Sequence, residues 1–96
     1  MPLFYKFRIF GHSMEPYIRE KDTIIISKIP YLFKSPKIND IVAFQGKENN
    51  TMVKRIKYIK NNKFFLLGDN KSDSLDSRNF GSISREQILG KLIFKF

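Results

Sequence analysis

The chain has no cysteine, which excludes disulfide frameworks, thiol nucleophiles and thiolate metal sites and leaves no trace of the compartment's redox state. Histidine is almost as scarce. His12 is the only imidazole, so a Ser/His/Asp triad would have to be built on that one residue. Carboxylates are few, with nine Asp and Glu against eighteen Lys and Arg. The resulting formal charge of +9 suits nucleic acid, an anionic membrane face or an acidic partner protein. The abundance of Lys, Ile, Asn and Phe is also what AT-rich codon usage alone would produce. Long apolar runs are missing as well. The opening MPLFYKFRIF is broken by Lys6 and Arg8 and falls far short of the ~20 apolar residues that span a bilayer. The sequence therefore reads as encoding no signal peptide or transmembrane segment, with any membrane met from its surface or through a partner.

What is present is a chain of 96 residues, 42% hydrophobic, with ten Phe and four Tyr. That is too apolar for disorder and of a size for a single domain over 1–96 with one modest core. No repeat, low-complexity tract or linker marks a second unit. The apolar runs are short, separated by turn residues, and hold no 3.6-residue period for three turns, so the fold class is all-β. Strands are expected at Phe4–Phe10, Thr23–Lys28, Ile41–Phe44, Thr51–Ile59, Lys63–Leu67 and Leu89–Phe94. The connections between them are His12–Lys21, Ile29–Asp40, Gly46–Asn50, Asn61–Asn62 and Gly68–Gly81. Asn61–Asn62 reads as a tight hairpin turn because Asn tolerates positive φ. The one helical signal is the capping-box pattern Ser84-Arg-Glu-Gln87, which predicts a single turn before the last strand.

Three segments are more polar than turns require: Gly11-His-Ser-Met14, Val53-Lys-Arg55 and Gly68–Gly81. Ser13 follows a β-like run where the chain turns. Its hydroxyl needs an adjacent base to become a nucleophile, and a lone serine there is otherwise ordinary turn chemistry. In an extended Thr51–Ile59, Met52, Lys54, Ile56 and Tyr58 share one face, so Lys54 lies between apolar neighbours. Burial there would lower its pKa toward that of a useful general base; the alternative is a lysine that snorkels from an edge strand. Asp69, Asp73 and Asp76 lack the spacing of a calcium loop, and a loop closed by its own ion pairs and Asx turns accounts for them better.

Taken in order, these segments resemble the boxes of the signal peptidase I (S26) family of serine proteases. Gly11-His-Ser-Met-Glu-Pro16 is similar to its G-x-S-M-x-P box, Asn39-Asp-Ile-Val42 to G-D-I-V, and Lys54-Arg55 to its catalytic K-R. Gly68-Asp-Asn70, Ser74-Leu-Asp-Ser-Arg78 and Phe80-Gly81 are similar to G-D-N…S-x-D-S-R-x-(F/Y)-G. Within the family, Phe65–Asn70 and the tail Ile88–Phe96 look like the short members described as nickel-type superoxide dismutase maturation proteases.

The resemblance implies a small coiled antiparallel β-sheet/barrel domain of the signal peptidase/LexA-like type. It implies a Ser/Lys dyad with Ser13 as nucleophile and Lys54 as general base, and Ser74 holding the Lys54 amine. Met14 would line the pocket for a small residue, and the ion pairs Asp69–Arg55 and Asp76–Arg78 would fix the loop. The Ser13 N–H would form part of the oxyanion hole. Gly11 stands where some members carry a second oxyanion donor, leaving that donor to backbone, water or another side chain. Lys21 replaces a frequent Gly and implies a different turn; Asn39 replaces another Gly and tolerates positive φ. Tyr17 replaces a usual Thr.

The implied partner is an extended peptide segment of a precursor protein, cut after small residues, with peripheral contact with a membrane. No cofactor, metal or nucleic acid is expected. The implied location is cytoplasmic or peripheral at a membrane face. Two rival readings are a catalytically inactive peptide-binding relative and a basic β-barrel module for single-stranded nucleic acid, which would cluster aromatics on one exposed sheet face.

Overall fold

In the computed structural model, which describes residues 2–46 and 50–96, seven antiparallel strands form one curled sheet. The strands are β1 (Phe4–Arg8), β2 (Thr23–Ser27), β3 (Ile41–Gln45), β4 (Thr51–Lys60), β5 (Lys63–Leu67), β6 (Ile83–Ser84) and β7 (Ile88–Lys95). Their order in the sheet is β1-β2-β7-β3-β4-β5-β6. The curl comes from β7, whose first half pairs with β3 and whose second half pairs with β2, with a register shift in each ladder. Such bulges bend a sheet and increase its twist.

Side-chain alternation explains the layers. On β3, Val42 and Phe44 enter one apolar cluster with Ile56, Phe64, Leu66, Ile83 and Ile88. Ile41 and Ala43 enter a second, with Met14, Ile18, Ile24 and Ile26. Strand β3 is thus buried on both faces, which its unbroken Ile-Val-Ala-Phe run requires. Two clusters flank it where one modest core was expected.

All six expected strands form, with ends differing by up to two residues. Asn61 and Asn62 both have positive φ, 52° and 60°, as a two-residue hairpin with the strands' own twist demands. Ser84 and Gln87 make the reciprocal cap at a 3₁₀ turn, Arg85–Gln87. The sequence reading omitted the short strand β6 and two four-residue helices, α1 (Pro30–Phe33) and α2 (Ser77–Phe80). α2 carries the same kind of signal as the turn that was seen: Asp76 and Asn79 form a capping box, an Asp-x-x-Asn version of Ser-x-x-Gln. Of the expected Gly46–Asn50 connection, residues 47–49 lie outside the described residues; the Gly46 N–H donates to the Asn50 carbonyl.

Lys21 corrects one expectation. It has φ 75°, so it does not make a different turn but adopts the left-handed conformation for which Gly is the usual residue. The Lys21 N–H donates to the Ile9 carbonyl and the Ile9 N–H to Asp22, and these two bonds hold the backbone there. Asn39 is left-handed too, at φ 78°. Among the described residues no helix is long and apolar enough to cross a membrane.

Candidate active site

The turn after β1 carries Ser13, and burial of its neighbours fixes it. Met14 and Ile18 are fully inside the second cluster, so the chain is pinned immediately beyond the serine. From the Gly68–Gly81 loop, the Asn70 N–H donates to the Ser13 carbonyl at 2.8 Å and Asn70 Nδ2 donates to the His12 carbonyl at 3.1 Å. Gly68 makes this approach feasible, because a Cβ there would lie 2.6 Å from the Ser13 carbonyl oxygen. Gly11, at φ 88°, supplies the left-handed step that leads into the turn.

Lys54 reaches the same point from β4. It is only 6% exposed, lies opposite Val42 in the ladder, and its Nζ donates to Ser13 Oγ at 2.8 Å. Burial pushes the Lys54 amine below its ordinary value, and the negative charge of Asp76 opposes part of that shift. A serine hydroxyl thus faces an amine predisposed to give up its proton.

The loop is organised by Asp76 rather than by a contact to the amine. Ser74 Oγ donates to Asp76 Oδ2 at 2.8 Å; among the described residues the side-chain hydrogen bond of Lys54 Nζ is the one to Ser13. Asp76 also accepts from the Gly68 N–H, from the Arg78 N–H and from the Arg78 guanidinium. Burial alone would push its carboxyl up, but hydrogen bonds from Arg78, Gly68 and Ser74 prevail and hold it at about 2. Arg55 grips Asp69 with two bonds of 2.9 Å, and the Arg55 guanidinium and the Lys95 amine lie over the Tyr17 ring at 5.6 and 4.9 Å from its centre. Both expected ion pairs are present. The two Asn70 bonds and the Tyr17 contacts join segments whose proximity no local pattern encodes, whereas the Ser74–Asp76 bond lies within one loop, two residues apart.

Beside the pair lies an open groove of about 240 Å³, lined by Phe7, Ile9, Phe10, Met14, Met52 and Val53 among others. One wall is β1, an edge strand. The other is the first half of β4, which lies beyond the reach of β5, since that ladder begins at Arg55. Two unpaired strand edges flanking a groove are a seat for an extended peptide.

The structure is thus a curled β domain whose groove ends on a serine hydroxyl bonded to a buried lysine. The chain belongs to the signal peptidase, peptidase S26 family, whose profile matches residues 1–60 and 57–96. It is 23% identical to thylakoidal processing peptidase 1, chloroplastic, of Arabidopsis thaliana, over 88% of this chain and 39% of that protein. It is 23% identical to signal peptidase I V of Bacillus subtilis (strain 168), over 92% of this chain and 83% of that protein. A shorter stretch, 57% of this chain and 16% of the relative, is 44% identical to signal peptidase I of Buchnera aphidicola subsp. Schizaphis graminum. The chain therefore spans much less than the full length of some relatives and most of another.

Proposed function

We propose that the chain is a serine endopeptidase of the signal-peptidase kind in which Ser13 attacks the scissile carbonyl and Lys54 is the general base. The observation that carries this reading is the 2.8 Å bond between Ser13 Oγ and the amine of Lys54, a residue that is 6% exposed. A neutral Lys54 takes the hydroxyl proton as the Ser13 Oγ–carbon bond forms, then gives it to the leaving amine as the peptide bond breaks. Water completes the cycle by hydrolysing the acyl-enzyme, with Lys54 again the base. The Ser13 N–H is the oxyanion donor; the Gly11 N–H already donates to Glu20 Oε2 and supplies no second one. Ser74 acts through Asp76, shaping the loop that holds Ser13. Loss of an oxyanion donor costs about 100- to 1,000-fold in comparable enzymes.

The substrate is an extended segment of a precursor protein, paired along the groove between β1 and β4 and cut after small residues. The names of the relatives support a precursor protein as substrate, and the tail motifs favour maturation of a nickel superoxide dismutase as the particular task. Contact with an anionic membrane is supported by one face of the sheet. Lys6 lies opposite Ile25, and Ile25 opposite Phe94, so Phe4, Lys6, Arg8, Ile25 and Phe94 share that face, with Phe96 paired to Thr23 beside them. Strands β1, β2 and β7 carry no carboxylate. The same face is what a single-stranded nucleic-acid module would present, and that is the second reading.

The test is cleavage of a peptide library rich in Ala-x-Ala sites by wild type, Ser13→Ala and Lys54→Ala, read by mass spectrometry. Cuts after small residues, abolished by both substitutions, rising with pH and indifferent to EDTA and thiol reagents, are expected. Cleavage that survives Lys54→Ala removes the dyad. Peptide binding without cleavage by the wild type favours the inactive relative.

A further inference from the structure

The Ser13 turn is held on one side by Asn70 and on the other by three charged groups, exposed His12 and Glu20 and half-buried Glu15, with no part in the chemistry above. His12 Nδ1 lies 2.7 Å from Glu15 Oε2, and His12 Nε2 lies 3.5 Å from Glu20 Oε1. The other oxygen of Glu20 accepts the Gly11 N–H at 3.1 Å. Glu20 thus spans the turn, tying the imidazole to the backbone two residues before Ser13.

A neutral imidazole has one N–H, so one of the two carboxylates would face a lone pair; the imidazolium presents an N–H to each, hydrogen-bonding Glu15 at 2.7 Å and attracting Glu20 across 3.5 Å. The arrangement is complete only when His12 is charged. We propose that His12, gripped between Glu15 and Glu20, is a positioning residue that holds the Gly11–Met14 turn and with it the Ser13 hydroxyl.

The charged groups facing the ring are Glu15 and Glu20 from its own turn and Asp73 from the Gly68–Gly81 loop, with Arg19 acting on Glu15. The hydrogen bond to Glu15 is the largest influence raising His12 above its ordinary value of 6.5, followed by the charges of Glu15 and Glu20; its slight desolvation opposes them and Asp73 adds to them. A raised histidine contributes fully below its unfolded value and loses that contribution as pH rises through its folded value. The grip therefore loosens toward alkaline pH, while the same rise frees Lys54 of its proton. Both groups, one on the turn beside Ser13 and one hydrogen-bonded to it, lose a proton as pH rises, with opposite consequences for the site.

The catalytic consequence rests on the Ser13/Lys54 reading, but the grip itself can be read without it. His12 is the only histidine, so its imidazole proton resonance titrates free of overlap. In the full chain, the amide resonances of Gly11 and Ser13 should move with the same midpoint as the imidazole. Glu20→Gln should lower that midpoint, and His12→Gln should abolish the inflection. A midpoint at the ordinary value, unmoved by Glu20→Gln and with static Gly11 and Ser13 amides, overturns the proposal. Peptide cleavage adds a second readout. His12→Gln should be slower by roughly two- to fivefold in kcat near neutral pH, the scale of an exposed ion pair, with KM little changed. The gap should close at alkaline pH, where the wild-type ring is neutral. A ratio constant across pH marks a merely structural role and also overturns it. If the wild type cleaves nothing, or Lys54→Ala cleaves, the dyad reading fails while the amide titration still decides the grip.

Discussion

At the scale of the residue, two buried ionisable groups act on stability with opposite signs. Lys54 is buried and its amine lies below the ordinary value of 10.5 because burial disfavours its charge. The folded state then binds fewer protons than the unfolded one between the two values, so charged Lys54 opposes folding at neutral pH and the penalty fades as pH approaches 10.5. Lys54→Met should therefore abolish hydrolysis yet stabilise the fold by about 1–2 kcal/mol at pH 7, with the difference shrinking near pH 10.5. Urea unfolding at the two pH values checks this, and equal stability at both would refute the burial argument. Asp76 has the opposite sign. Held at about 2 against an ordinary 3.8, it contributes about 2 kcal/mol above the ordinary value that is lost as pH falls through about 2. Asp76→Asn should cost roughly 2–3 kcal/mol at neutral pH, with wild-type and variant stabilities converging by pH 2; parallel curves would show that the carboxylate charge is not what matters.

At the scale of the element, a short stretch that supplies both partners of a contact makes the contact legible in the sequence. The Asn61–Asn62 turn and the Ser84/Gln87 cap are of that kind. The Asp76/Asn79 cap of α2 is equally local, but it uses Asp and Asn in place of the Ser and Gln of the commoner box, in a loop whose carboxylates equally suit Asx turns and ion pairs. Lys21 shows the reverse, a position where local preference is overridden. Its φ of 75° is imposed by the bonds linking Ile9 to Lys21 and Asp22. Lys21→Gly relieves that strain but gives the unfolded chain more freedom, so a net gain of about 0.5–1 kcal/mol is expected in thermal unfolding. A fall in Tm would mean that the lysine side chain contributes more than the backbone loses.

At the scale of the whole molecule, charge and aromatic exposure converge on the outer face of β1, β2 and β7. Phe4, Phe94 and Phe96 are all more than half exposed there, beside Lys6 and Arg8. A face of this kind should bind vesicles containing phosphatidylserine more tightly than neutral ones and release them as salt rises. Phe94→Ser with Phe96→Ser should weaken sedimentation with such vesicles by about tenfold, the effect expected from the loss of buried apolar area. Tight binding of a single-stranded oligonucleotide that these two substitutions weaken, without vesicle binding, would transfer the face to the nucleic-acid reading.

The sequence by itself determined the strands, the hairpin, the cap and the order of the polar boxes, because period-two alternation, the φ tolerance of Asn and reciprocal capping act over a few residues. It also put Ser13 at a turn and Lys54 on an apolar strand face. Only the tertiary structure decided that these two meet, 41 residues apart at 2.8 Å, and that Asn70 reaches the His12 and Ser13 carbonyls. Those contacts depend on how β7 switches from β3 to β2 and curls the sheet, a result of packing two apolar clusters on opposite faces of β3. Packing of that range is a property of the whole chain, and no stretch of a few residues encodes it.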